Sequence, residues 1–208
     1  MSDRMIQDSP TVLSLRLHQR NLPRFFPLFQ QGFLVKAPGG GSIRTILCGY
    51  WGLDPKYLEG RIQTIFLNGK PVDEVDAAMV GAGDTLALSA AMPGLVGATM
   101  RKGGFFASLR ANISHRGKGQ ATSEGECLVG LKLFNLLIRE LGPFFLEKGI
   151  WLKRAVLEEI LHQMPEDFWE GCWAASLNGE ELDLQALRAM AWPTGENLVC
   201  LKVIFSPG

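Results

Sequence analysis

At 208 residues, with 47% hydrophobic and 20% charged side chains, the chain has the composition of an ordinary globular protein and is long enough for one large domain or two small ones. Twenty-one Lys and Arg balance twenty-one Asp and Glu, and a net charge of zero excludes a chain-wide pull towards nucleic acid or acidic lipid. The polar start (Met1–Pro10), the lack of any run of about 18 apolar residues and four scattered cysteines (Cys48, Cys127, Cys172, Cys200) argue against a signal peptide, a membrane span and a zinc site, and lead us to expect a cytoplasmic protein with free buried thiols.

In chain order, Val12–Leu17 alternates apolar and polar residues, which predicts a half-buried strand. Pro23 and Pro27 predict that no helix follows, and Phe33–Lys36 reads as a second strand. Ser42 can cap a helix over Ile43–Tyr50 that turns Ile43, Ile46, Leu47 and Tyr50 inward. Ile62–Leu67 is a strand rich in β-branched residues and ends in Asn68-Gly69, a dipeptide suited to a type I′ hairpin turn because both positions accept positive φ. Pro71–Val72 returns from that turn, and Thr85–Ala90 is the last strand of this half.

The second half repeats the order. Leu128–Phe134 alternates, Leu136–Glu140 begins a helix, and Ile150–Lys153 is a strand. Arg154–Met164 places Val156, Leu157, Ile160, Leu161 and Met164 on one helical face and stops at Pro165. Ala174–Leu177, the turn Asn178-Gly179, a short return at Leu182 and a final strand Leu198–Phe205 complete it.

Five matches run in the same order through both halves. Leu15-Arg16-Leu17 pairs with Leu131-Lys132-Leu133 at an offset of 116, and the segments ending Gly32-Phe33-Leu34-Val35-Lys36 and Gly149-Ile150-Trp151-Leu152-Lys153 pair at 117. Tyr57–Gly60 pairs with Phe168–Gly171 at 111, Leu67-Asn68-Gly69 with Leu177-Asn178-Gly179 at 110, and Gly83–Leu88 with Gly195–Cys200 at 112. This pattern predicts two copies of one small α+β fold, residues 1–92 and 127–208, joined by a connector at residues 93–126.

The hairpin Leu67-Asn68-Gly69-Lys70-Pro71-Val72, followed by Gly83-Asp84-Thr85-Leu86-Ala87-Leu88, resembles the β-grasp (ubiquitin-like) fold, and in particular small sulfur-carrier proteins of the ThiS/MoaD type. The resemblance implies two tandem β-grasp-like domains, each a mixed sheet with one main helix. It also offers a sulfur carrier as one functional reading, in which the internal Gly103-Gly104 pair would be exposed by cleavage after Gly104.

Net positive charge is concentrated in the connector. Residues 93–126 carry five basic and two acidic residues, residues 127–208 carry seven and eleven, and nothing acidic lies between Asp84 and Glu124. Gly94, Gly97, Gly103 and Gly104 allow close backbone approach, Arg101, Lys102 and Arg110 could anchor a phosphate or carboxylate, and Phe105 adds apolar surface. These eight residues are the candidate binding site. The plainer alternative is a linker whose apolar residues pack between the copies.

No dinucleotide or P-loop glycine pattern and no nucleophile elbow is present. His162 beside Glu158 and Glu159, and the acidic trio Glu180, Glu181 and Asp183, read most simply as a helix surface and a solvated turn. The expectation is therefore a non-enzymatic module without cofactor or metal, which binds a protein partner or itself through the connector and the cleft between copies. A small anionic ligand or an enzymatic site in that cleft is the alternative; nucleic acid is not expected as a partner.

Overall fold

The computed structural model describes residues 10–91, 94–105, 110, 114–115, 125–190 and 198–207. The chain begins with strand β1 (Thr11–His18), a 3-10 segment (Gln19–Phe25), helix α1 (Phe26–Gln31), β2 (Phe33–Pro38) and β3 (Gly41–Ser42). A wide-turn helix (Thr45–Tyr50), α2 (Pro55–Gly60), β4 (Thr64–Leu67), β5 (Lys70–Pro71), β6 (Met79–Val80), β7 (Thr85–Ser89) and α3 (Gly94–Met100) follow. The remaining elements are β8 (Glu126–Phe134), α4 (Leu137–Lys148), β9 (Ile150–Lys153), α5 (Arg154–His162), α6 (Glu166–Glu170), β10 (Cys172–Leu177), β11 (Glu180–Glu181), α7 (Leu184–Ala189) and β12 (Leu198–Ser206).

Most predicted elements are present. Ser42 caps its helix as expected, its Oγ accepting from the Thr45 N–H at 3.1 Å, but the helix is wide: the Trp51 N–H reaches back five residues to the Ile46 carbonyl at 2.8 Å. The extra residue in the turn keeps Ile43, Ile46 and Leu47 buried and leaves Tyr50 on the surface, against expectation. Pro27 does not prevent α1. It lies in the first turn, where a missing N–H removes no helical bond.

The chain divides into two compact units, Phe25–Phe144 and Met1–Arg24 with Phe145–Gly208. These differ from the contiguous halves 1–92 and 127–208. The continuous unit holds a five-stranded sheet in the order β2-β8-β7-β4-β5, with pairings that run antiparallel, parallel, antiparallel, antiparallel. The discontinuous unit holds β9-β12-β1-β10-β11 with the same succession of pairings. Each unit is α+β with a mostly antiparallel sheet.

The hairpins correspond residue for residue at the offset of 110: Phe66 faces Pro71 and Leu67 faces Lys70, as Ser176 faces Glu181 and Leu177 faces Glu180. Asn68 and Asn178 have φ of 51° and 53° and are followed by glycines at 76° and 88°, the geometry of a type I′ turn. Both asparagines also bridge to the next strand. Asn68 Oδ1 accepts from the Thr85 N–H, and Asn178 Oδ1 accepts from the Val12 N–H, each at 2.8 Å.

That last pair identifies the departure from the expected repeat. β1, not β12, occupies in the discontinuous unit the place that β7 holds in the continuous one, and β12 takes the place of β8. The exchange is physically cheap because all four strands offer the same alternating apolar face. Leu13, Leu15 and Leu17 of β1 are buried, as are Val129, Leu131 and Leu133 of β8, Leu86 and Leu88 of β7, and Val199, Leu201 and Val203 of β12.

Candidate functional site

β7 and β8 are parallel neighbours, with Ala87 beside Lys132 and Leu88 beside Leu133. Two parallel strands cannot be joined by a hairpin and require a crossover of about a dozen residues or more. The chain between Ser89 and Glu126 is that crossover. The glycine-rich basic segment therefore belongs to the continuous unit rather than serving as a link between two halves.

Arg110 and, in part, Lys102 turn inward. Arg110 is 4% exposed, and all five of its guanidinium N–H groups are used. Two form a fork onto Asp73 (Nη2 to Oδ1 2.7 Å, Nη1 to Oδ2 3.0 Å). The others reach the Thr99 carbonyl (2.6 Å), the Arg101 carbonyl (3.1 Å) and Ser114 Oγ (2.7 Å). The Gly103 N–H donates to the same Asp73 carboxylate at 2.9 Å, and Gly103 has φ of 59°, a left-handed conformation that suits glycine.

Lys102 is held twice. Its main-chain N–H donates to the Gln63 carbonyl at 2.8 Å and its Nζ to the Leu58 carbonyl at 2.9 Å. Burial, aided by the nearby Arg44 charge, pushes its ammonium pKa down. Arg101 donates from Nε to Gln63 Oε1 at 2.9 Å, and the His115 N–H donates to the Pro71 carbonyl at 2.8 Å. Gly104 closes a turn onto the Arg101 carbonyl, where an added Cβ would lie 3.2 Å from two Arg101 atoms. Gly94, with φ of 77°, opens α3, and Gly97 lies on its buried side.

The apolar groups of the same stretch turn outward. Leu95 is 72% exposed, Val96 62% and Phe105 92%. Residues 106–109, part of the expected apolar content of the connector, lie outside the described residues. The structure thus brings the three candidate cations onto one edge of the continuous unit and bonds each to groups of that unit, Arg110 with all its donors, Lys102 through the Leu58 carbonyl and the exposed Arg101 through Gln63. It holds Gly103-Gly104 in a bonded turn, unlike the free tail of a sulfur carrier. The residues that sequence reasoning missed are Asp73, Gln63 and the Leu58 carbonyl, which receive those cations. Asp73 is 37 positions from Arg110, and no local pattern marks such a pairing.

Other candidates settle as surface or structural groups. His162 Nδ1 is 2.9 Å from the Glu158 carbonyl of its own helix, and Asp183 caps α7 by accepting from the Gln185 and Ala186 N–H groups. Cys172 and Cys200 are buried and in no disulfide among the described residues, and burial pushes the Cys172 thiol up to about 11. Among the described residues no group of three His, Cys, Asp or Glu could hold a metal ion, and no helix is long and apolar enough to cross a membrane. No family model, curated protein or solved structure matches the chain.

Proposed function

We propose that the chain is a non-enzymatic binding module, built from two β-grasp-like units, that engages a partner protein through the outer surface of residues 94–105. The β-grasp reading is supported by the common ladder pattern of both sheets, in which two central parallel strands are flanked by antiparallel ones. One observation carries the binding role: the crossover is inverted, with Arg110 buried while Leu95, Val96 and Phe105 are exposed. Burying side chains of this size yields about 1.5–3 kcal/mol each, so a partner with an apolar groove gains substantially by covering them. The cations hold the segment in place and the apolar groups are what it presents.

Replacing Leu95, Val96 and Phe105 together by Ser tests this. The parent chain should bind a hydrophobic dye and co-purify from its native source with a stoichiometric partner. The triple variant should lose both, with a melting temperature unchanged because exposed residues contribute within about ±0.5 kcal/mol each. Equal capture by the variant, or a large fall in its melting temperature, would show that these side chains serve packing instead.

A further inference from the structure

We infer that the outer edge of β10, with the β11 turn beside it, is a second docking edge, and that its occupant is an extended, arginine-containing basic segment of a partner protein. This surface lies in the discontinuous unit and does not depend on the role given above to Leu95, Val96 and Phe105.

The two hairpins match residue for residue. In the continuous unit the hairpin edge is covered by the basic turn that follows α3. Lys102 N–H bonds the Gln63 carbonyl, Gly103 N–H bonds Asp73, and Arg101 bonds the Gln63 side chain. At the offset of 110 the corresponding positions in the discontinuous unit are Trp173 and Asp183. There β11 pairs only with Ser176 and Leu177, and beyond it the Leu182 N–H bonds the Ala175 carbonyl at 2.9 Å, as Val72 bonds Ile65 in the other unit. Among the described residues no strand lies outside β10 towards Trp173, where the register with β1 shifts by one residue, and no backbone N–H outside the sheet donates to the Trp173 carbonyl.

Chemistry selects the occupant. Asp183 uses Oδ1 for the α7 cap, while its Oδ2 has no partner among the described residues, whereas both Asp73 oxygens are taken. Glu180 and Glu181 stand exposed on the same turn, and neither forms an ion pair among the described residues. The nearby Arg188 is committed to Glu166 through two bonds. The edge is therefore acidic where its counterpart has been neutralised by the connector. Trp173, 49% exposed and already carrying Arg16 at 5.2 Å from its ring centroid, replaces the Gln63 side chain with an aromatic surface that attracts guanidinium groups. An open strand edge supplies main-chain acceptors and donors for a segment added in extended form, and the carboxylates select its charge.

The test uses the full-length, isotope-labelled chain and an end-blocked peptide of residues 99–104, Thr-Met-Arg-Lys-Gly-Gly. Amide shifts should concentrate at residues 172–183. Replacing Glu180 and Glu181 by Gln, both on the surface, should weaken binding about threefold or more, and a peptide with Gln for Arg and Lys should not bind. Absence of binding overturns the inference. So do shifts confined to residues 63–73, which would mean displacement of the chain's own connector, and binding indifferent to the Gln substitutions.

Discussion

A chain lacking residues 1–18 should lose the whole discontinuous unit while keeping the continuous one. β1 lies between β10 and β12, registered with five residues of the first and eight of the second, so its removal splits the sheet at its centre. It also removes Leu13, Leu15 and Leu17, each at most 1% exposed. At about 1.5–3 kcal/mol per fully buried leucine the loss is roughly 5–9 kcal/mol before hydrogen bonds are counted, comparable to the total stability of a domain, about 5–15 kcal/mol. The expected result is a red-shifted tryptophan emission, since Trp151, Trp169 and Trp173 belong to this unit, with slow amide exchange retained at Ile65, Leu88 and Leu131. Unchanged emission and an unchanged melting temperature would contradict the pairing of β1.

The second large effect is expected at Arg110. Truncation to Ala leaves the Asp73 carboxylate without its fork and strips the Thr99 and Arg101 carbonyls of their donor. Breaking a buried ion pair by removing one member costs about 3–5 kcal/mol; Asp73 retains some solvent contact, which favours the lower end. Because the crossover docks on an otherwise complete sheet, the cost should be local. Exchange of the Lys102 and Gly103 amides should accelerate about 100-fold, with global unfolding little changed. Arg110→Lys should recover little of this, because an ammonium cannot span two carboxylate oxygens and three further acceptors. Protection equal to that of the parent would remove Arg110 from its holding role.

Much of the secondary structure was legible in the sequence because its signals are local. Asn-Gly at positive φ forces a hairpin whatever surrounds it, and both hairpins form where Asn68-Gly69 and Asn178-Gly179 stand. Which strands meet was not legible. Val12–Leu17 and Leu128–Phe134 carry interchangeable alternations, so the apolar pattern that identifies each as a half-buried strand leaves its neighbours undetermined. The same limit applies to the candidate site. Clustered Arg101, Lys102 and Arg110 were visible as cations, but their partners are set by the parallel pairing of β7 with β8, which folds the crossover back over the β4–β5 hairpin. Without that pairing the cations look available to a ligand; with it they bond to groups of their own unit, and Leu95, Val96 and Phe105 are the apolar residues left on the surface.

The inward bonding of Arg110 and Lys102 follows from the parallel pairing of β7 with β8, which makes the connection between them a crossover within one unit. A main-chain proton contact map of the full-length protein tests this directly. It should place Ala87 beside Lys132, Leu88 beside Leu133 and Val35 beside Val129. Contacts of β2 and β7 with Leu13–Leu17 in place of β8 would return the segment to a linker between two contiguous halves and contradict the account.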